Sequence, residues 1–525
     1  MKEDTLQDRR PARRDAPPAL PPPGPTLRIL LLLALVLFGA WVRWKDMDRP
    51  FLGLHAVREC DTASLARNYY EKGIDILHPV HWWDVEKKPF RGVPELPLFP
   101  ALEAAVHHLV GFHEHNGRIL NLVLTVLSFF LFFRLVERWS GTWTALAALL
   151  ALDLSPLHAF FSTAVTRHGG MEQSFMLGSL LLWDAWCRTG RKRLLLPWAL
   201  VCGTGLCVTP PTALLAPVYL GMAALRGRLK EVFRPAGLAA GLLCLALPAA
   251  WFAWVTRTAG GFPASMYQPK GNLRAWTSPS YWVRWLDPEW FRVVGEMALL
   301  SLGTWAGTVL AASALLLRRP RNWLAPPALW TLAGAAYFAA DSYVVTGFLH
   351  HYYFMLWVPA LCWLAGSGLT RAAALLPRGS LPALAVLALL YGADGFLEGL
   401  PRVEGWYRLA PCRVVDPFDW DRQVPAGDLV VFANLPNDVI YRARRKGWIL
   451  FLEGPEGEKE LARLLAKGAR WVLLGKRLPG RKEPLGLTGL LAPGAPERLH
   501  LEPVEPKGPL GPVVAGAYEL WHRRR

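Results

Sequence analysis

Long apolar runs separated by short polar loops dominate the chain. Eleven such runs follow one another between residues 28 and 397, and most are long enough to cross a bilayer. A transmembrane helix needs about 20 mostly apolar residues. The pattern therefore predicts an α-helical polytopic membrane protein with about eleven transmembrane helices. The runs lie near residues 28–46, 117–136, 142–162, 171–187, 194–209, 212–225, 235–255, 296–317, 323–341, 350–369 and 380–397.

The charges in the loops predict the orientation of these helices. With the N-terminus in the cytosol, the five short cytosolic loops hold fifteen Lys and Arg, whereas the three short opposite loops hold only Arg167. Cytosolic loops of membrane proteins are enriched in Lys and Arg. An odd number of spans then places the loop 48–116 and the C-terminal residues outside the cytosol. The net charge of +17 follows from this topology, and nucleic acid is not expected as a partner.

The segment 96–112 is almost long enough to be a further span. If it crossed the membrane, every later basic loop would fall on the outside, against the rule that fixed the topology. It also carries Glu103 and His107 on one helical face. We therefore expect an interfacial helix on the outer membrane surface.

Composition divides the chain into three parts. Residues 1–26 are polar and proline-rich, which predicts a disordered cytosolic tail. Residues 27–397 hold the spans, and residues 398–525 are expected to form a small extracytoplasmic α/β domain. In that domain strand-like and helix-like segments alternate, which indicates βαβ units. No glycine-rich phosphate loop follows any of the strands, so we predict no nucleotide site. The strand-like segments are 428–433, 448–452 and 470–474, and the helix-like segments are 439–446 and 456–467.

Four outer segments place polar side chains close to the membrane. Cations can hold a phosphate, and a carboxylate can take a proton from an attacking hydroxyl. Together the segments suit a substrate with an anionic phosphate at the membrane surface. They are Arg58-Glu59-Cys60-Asp61, the stretch with Lys87, Arg91 and Glu95, the stretch with Arg167, His168 and Glu172, and His350-His351-Tyr352-Tyr353.

Each segment also has a structural interpretation. Arg58 and the cations at 87–91 could bind lipid head groups, and Asp61 could cap the helix that follows it. His350 and His351 resemble a zinc pair, but adjacent residues on a helix point about 100° apart. We therefore predict no metal site, although a divalent cofactor is left open. Most of the aromatic residues fit an interfacial belt.

At these residues the sequence resembles the GT-C membrane glycosyltransferases. The resemblance is to the bacterial branch akin to the protein O-mannosyltransferases and the lipid A aminoarabinose transferase. It covers nearly the whole chain, and the order and sidedness of the motifs carry it. The motifs are Asp61-Thr-Ala-Ser-Leu-Ala-Arg-Asn, Pro94-Glu95-Leu96-Pro97-Leu98-Phe99, Gly117-Arg118-Ile119-Leu120, Ser155-Pro156-Leu157 with Glu172, and His351-Tyr352-Tyr353.

The resemblance implies a GT-C fold and the transfer of a sugar from a polyprenyl-phosphate donor to a glycan, lipid or protein acceptor. It implies that Asp61 is the catalytic base and that transfer takes place outside the cytosol. The expected location is the bacterial cytoplasmic membrane, with membrane lipids as further partners. Contacts to the donor phosphate are expected from Arg58, Lys87, Arg91, Arg167, His350 and His351, and supporting contacts from Glu59, Glu95, His168, Glu172, Tyr352 and Tyr353.

Two other classes of function are left open by the residues themselves. A transporter or flippase for a charged lipid or solute would show inverted repeats and ionisable groups near the middle of the membrane. Here the charges gather at one outer surface instead. A sensor or assembly scaffold built on the outer domain would leave Asp61 without a purpose. For a transferase, a single displacement predicts inversion at the anomeric carbon.

Overall fold

The protein is mostly helical, with a small sheet near its C-terminus. The computed structural model describes residues 21–45, 47–49, 51, 54–90, 94–259, 288–316, 325–340, 350–376, 380–407, 424–433, 435, 437–450, 454–475, 496, 499–504 and 518–523. The first eleven α-helices are α1 (Pro25–Trp44), α2 (Ala56–Lys72), α3 (Leu98–Val110), α4 (Asn116–Ser140), α5 (Thr142–Asp153), α6 (Pro156–Phe161), α7 (Gly170–Thr189), α8 (Leu195–Val208), α9 (Ala216–Leu225), α10 (Leu229–Val232) and α11 (Pro235–Thr258). Further helices span Pro288–Leu302, Trp305–Leu316, Pro326–Ala340, Val358–Ala374, Ser380–Asp394, Glu404–Tyr407, Asn437–Arg442 and Gly454–Ala466.

Each of the eleven apolar runs contains helix, so the prediction of a mostly helical fold is confirmed. By length and composition, four helices of the described residues could cross a membrane on their own, and a bent pair could form a fifth span. The remaining runs form shorter or interrupted helices. The count of eleven spans and their orientation therefore stay predictions.

Two of the runs are interrupted where the sequence predicts continuous spans. The third apolar run, residues 142–162, divides at Ser155. The hydroxyl of Ser155 accepts the N–H of His158 at 3.2 Å and so caps α6. Pro156 begins that helix, where its missing N–H costs no hydrogen bond. The eighth run bends by 101° between its two helices. Gly303 lies at this bend with φ +79°, a conformation that favours glycine.

A helix, α3, forms within the segment predicted to be interfacial. Its polar face is turned inward, because Glu103 and His107 are both buried and lie 3.7 Å apart. Asn116, at the start of α4, lies 3.0 Å from the His107 ring nitrogen. α3 therefore contributes polar contacts to the interior of the protein. Its location at the membrane surface stays a prediction.

The C-terminal part of the chain forms a five-stranded sheet. The strands are β1 (Leu429–Ala433), β2 (Gly447–Leu450), β3 (Ala469–Gly475), β4 (Leu501–Val504) and β5 (Tyr518–Arg523). Their order in the sheet is β2-β1-β3-β5-β4. The first three of these are parallel, and β5 is antiparallel to both of its neighbours. The predicted βαβ units are therefore present, whereas β4 and β5 were not predicted. The last apolar helix continues to Trp406, past the domain boundary predicted at residue 398.

The region that contains the sheet packs directly on the segments that precede and follow α2. Gly447, the first residue of β2, donates its N–H to the Trp83 carbonyl at 3.1 Å. Phe51 and Tyr441 place their rings 6.1 Å apart, and Arg463 donates to Glu86 at 3.1 Å. This contact fixes the loop that follows α2 and so helps to shape the site described next.

Candidate active site

Helix α2 carries the acid that the sequence marks as a catalytic base. It begins at Ala56, after His55 in the left-handed conformation (φ +65°). Asp61 is therefore the sixth residue of the helix, and the interpretation of Asp61 as a helix cap is wrong. Its side chain is only 5% exposed. A carboxylate buried to this extent, away from a helix end, needs charged or polar neighbours.

One face of α2 borders a cleft. Arg58, Thr62 and Leu65 follow at i, i+4 and i+7 and so share this face. Asp61 is not among the residues that line the cleft, but it lies three residues after Arg58 on α2, close enough for its charge to act on Arg58. The empty volume, including the open mouth, is about 340 Å³. The residues lining it are Arg58, Thr62, Leu65, Leu96, Pro97, Phe99, Pro100 and Arg167.

Arg167 reaches the cleft from the loop before α7 and forms an ion pair with Glu95. Both side chains are buried. Breaking a buried pair by removing one partner leaves an uncompensated charge, which is strongly destabilising. The structure therefore brings together two of the predicted residues, and it shows that the charge of Arg167 is balanced by Glu95.

Arg58 supplies the second cation of the cleft. Its guanidinium carbon lies 5.7 Å from the ring centroid of Tyr352. Burial opposes the charged form, but Tyr352, Glu95 and Asp61 outweigh this effect and raise the pKa of Arg58. Its Nη1 group is buried and makes no hydrogen bond to a described residue. Arg58 is thus a permanent positive charge with an N–H group available to a ligand.

Histidines surround the ring of Tyr352. His168 stacks on it at 4.3 Å between centroids, and His350 stacks at 5.1 Å. His55 and His351 bring ring nitrogens to 3.2 Å. Burial lowers the pKa of His168 well below its usual range, and the nearby charge of Arg167 adds to this effect. The His168 imidazole is therefore neutral at pH 7.

Two further predicted carboxylates lie deep in the interior. Glu59 accepts the N–H of Val165 at 2.8 Å and lies 3.6 Å from Arg118. Glu172 lies 2.8 Å from Nδ1 of His168. Both contacts act on the short loop between α6 and α7. Because Arg167 belongs to this loop, the two carboxylates help to position it.

The remaining predicted residues are placed differently. Lys87 is exposed in a turn, is not among the residues that line the cleft, and interacts electrostatically with Lys72. Arg91 lies outside the described residues. The ring centroids of Tyr353 and Tyr352 lie 4.7 Å apart.

Sequence reasoning missed two residues of the site. Thr62 could have been found from its i+4 spacing to Arg58, whereas the approach of His55 to His351 joins distant parts of the chain and leaves no local signal. Among the described residues, no group of three His, Cys, Asp or Glu is arranged to hold a metal ion.

Comparison with known proteins identifies the fold. A model of the family described as dolichyl-phosphate-mannose-protein mannosyltransferase matches residues 87–254. ArnT from Cupriavidus metallidurans bound to undecaprenyl phosphate is similar, with a TM-score of 0.57 and 15% identity over 95% of this chain and 98% of that chain. The chain has a GT-C fold. Another similar GT-C structure is archaeal oligosaccharyltransferase AglB from Archaeoglobus fulgidus in complex with an inhibitory peptide and a dolichol-phosphate, with a TM-score of 0.51 and 12% identity over 86% of this chain and 69% of that chain.

The predicted resemblance of this GT-C protein to the mannosyltransferase and ArnT-like proteins is thereby confirmed. The family match includes Glu95, Arg167 and Glu172, but it begins after Arg58 and Asp61. No curated protein sequence matches the chain. The roles of the residues on α2 therefore have to be argued from the geometry of the cleft.

Proposed function

We propose that this protein is an integral membrane glycosyltransferase that moves a sugar from a polyprenyl-phosphate donor to an acceptor hydroxyl on the extracytoplasmic face. The observation that carries the proposal is a cleft lined by Arg58 and Arg167, with the charge of Asp61 close enough to act on Arg58. Two arginines suit a phosphate, and a neighbouring carboxylate suits an attacking hydroxyl. ArnT bound to undecaprenyl phosphate and AglB in complex with a dolichol-phosphate have the same fold, which supports a lipid-phosphate donor.

The proposed reaction is a single displacement. The acceptor oxygen forms a bond to the anomeric carbon while the bond from that carbon to the phosphate oxygen breaks. The hydroxyl proton passes to Asp61, and polyprenyl phosphate leaves with the electron pair of the broken bond. Attack opposite the leaving group inverts the anomeric configuration.

The chain's own residues divide these tasks. Arg58 offers its Nη1 group to the phosphate, and Arg167 offers the charge that it otherwise shares with Glu95. Preorganised cations aimed at the developing charge stabilise the transition state without reorganisation. His350 and His351 can add N–H donors at the same edge of the site.

The test is direct detection of the leaving group. The purified protein in phosphatidylcholine nanodiscs is mixed with lipid-linked sugars and an acceptor extract from the producing organism. Mass spectrometry should detect free polyprenyl phosphate and a glycosylated acceptor, and neither should form with Asp61→Asn. Movement of an intact lipid-linked sugar across a sealed vesicle, without release of polyprenyl phosphate, would overturn the proposal in favour of a flippase.

A further inference from the structure

A second group of cations surrounds Trp82, in the loop after α2. The guanidinium carbon of Arg67 lies 3.7 Å from the ring centroid of Trp82, and Nζ of Lys446 lies 5.2 Å from it. The indole N–H donates to Glu71 at 2.8 Å, which holds the ring in place. Trp82 therefore joins a cation of α2 to a cation of the outer domain.

Together with Lys446, two more lysines, Lys72 and Lys87, complete this group. Burial and the nearby charges of Lys446 and Lys87 lower the pKa of Lys72. None of these three lysines forms an ion pair with any residue that the structure describes. Arg67 has one partner, Glu71, at 2.9 Å. We call Arg67, Lys72, Lys87 and Lys446 the Trp82 cluster. Its positive charges outnumber the single negative charge of Glu71.

The basic residues next to the cluster behave differently. Lys88, Arg463 and Lys467 all pair with Glu86, at 2.7, 3.1 and 2.7 Å. Hydrogen bonds from Lys467 and Lys88 lower the pKa of Glu86 to about 2. Arg463 also pairs with Glu460. Each of these three cations therefore has an acidic partner, whereas Lys72, Lys87 and Lys446 form no ion pair with a described residue. Like charges held together cost free energy unless an anion joins them.

The cluster is too far from the cleft to share one phosphate with it. Arg58 and Arg67 are nine residues apart on α2, which corresponds to about 14 Å along the helix axis and to opposite helix faces. The cluster also includes Lys87, which the sequence assigned to the donor phosphate. Two anionic groups could therefore be bound at the same time, one at each place.

We propose that the Trp82 cluster binds a phosphate or carboxylate group of the acceptor, and that the acceptor is an anionic glycan or glycolipid. This inference rests on the proposed function, because it assigns the second substrate of the same reaction. The donor phosphate is assigned to the cleft, so the anion at the Trp82 cluster is assigned to the molecule that supplies the hydroxyl. The outer domain contributes Lys446, which gives that domain a role in acceptor recognition.

The test uses an oligogalacturonate of defined length as an anionic probe and a maltooligosaccharide of equal length as its neutral counterpart. Binding is measured on the full chain in phosphatidylcholine nanodiscs. The variant K72Q/K87Q/K446Q is compared with K45Q/K459Q/R470Q, which also removes three positive charges, from residues that pair with acids elsewhere. We expect the first variant to lose about tenfold or more in affinity for the anionic probe, and the control to change by about twofold or less. Binding of polyprenyl phosphate should be unaltered in both.

Three results would overturn the inference. Equal losses of affinity in the two variants would indicate a general effect of net charge. Equal binding of the neutral and the anionic probe would indicate that the cluster does not recognise charge. Selective loss of binding to vesicles that contain phosphatidylglycerol, with the oligogalacturonate unaffected, would assign the cluster to lipid head groups. Failure of the proposed function is separable: the wild type would then release no polyprenyl phosphate, whatever the probe does. Equal thermal stability of both variants checks that each is folded.

Discussion

The substitution Asp61→Asn separates catalysis from structure. Asparagine keeps the size of the side chain but cannot accept a proton at neutral pH. Asp61 is the sixth residue of α2 and caps no helix, so the exchange removes no capping bond. Loss of a positioned general base costs about 10²–10⁴ in rate. We therefore expect release of polyprenyl phosphate to fall by this factor while the midpoint of thermal unfolding stays close to that of the wild type.

The neighbouring acid provides the control. Glu59 accepts the N–H of Val165 and lies beside Arg118, and its side chain is only 1% exposed. Glu59→Gln should lower the free energy of unfolding by about 1–3 kcal/mol and should slow transfer only as far as the loop is disturbed. The reasoning is refuted if Glu59→Gln is inactive with unchanged stability while Asp61→Asn transfers normally. The base would then lie two residues earlier.

The other predictions concern topology and the phosphate. Reporter fusions after Arg191 should report the cytosol and fusions after the C-terminus the outside; a cytosolic C-terminus would contradict the single-sided site. Glu95→Gln should strengthen binding of undecaprenyl phosphate, because Arg167 loses its internal partner, whereas the double variant with Arg167→Gln should bind about tenfold more weakly than Glu95→Gln in the same titration.

Hydrophobic patterning was enough to predict the helices, because a long apolar run has few alternatives to a helix in a membrane. The interruptions were not predictable in this way. Ser155-Pro156 is a helix-start signal in the sequence, but it lies inside an apolar run that masks it. The bend at Gly303 depends on a close approach to Leu154, whose carbonyl would lie 2.9 Å from any added side-chain carbon. That contact joins distant parts of the chain, so it leaves no periodic pattern in the sequence.

The sequence was enough to select the segments of the site, but it did not predict how their side chains are arranged in space. Arg58, Asp61 and Arg167 were selected because they fall on one side of the predicted topology, and the structure brings them to one place. Lys87 was selected on the same ground but lies in the Trp82 cluster. The loop that carries it is fixed by backbone contacts, such as that of Trp82 with the Ser64 hydroxyl at 2.9 Å. Contacts between distant segments of this kind cannot be derived from spacing.

The total charge of the site stays constant during the proposed reaction. Arg58 and Arg167 together carry two positive charges, and Asp61 and Glu95 carry two negative charges, so the four groups are neutral before the donor binds. A donor phosphodiester adds one negative charge, and the departing phosphate gains a second. Transfer of the acceptor proton to Asp61 removes one negative charge from the cleft at the same step. The total is therefore unchanged, and no net charge has to develop in a poorly solvated site.

The same balance predicts how product binding changes when the acid is replaced. In Asp61→Asn the four groups carry a permanent net charge of +1, as they do in the wild type only after proton transfer. At an effective dielectric constant of about 20 and a separation of about 8 Å, one unit charge changes the binding free energy by about 2 kcal/mol. Asp61→Asn should therefore bind polyprenyl phosphate more than tenfold more tightly than the wild type in nanodiscs of neutral lipid, while it fails to turn over. Weaker binding of polyprenyl phosphate by this variant would show that Asp61 does not share the electrostatic environment of the phosphate, and its assignment as the base would fall with that result.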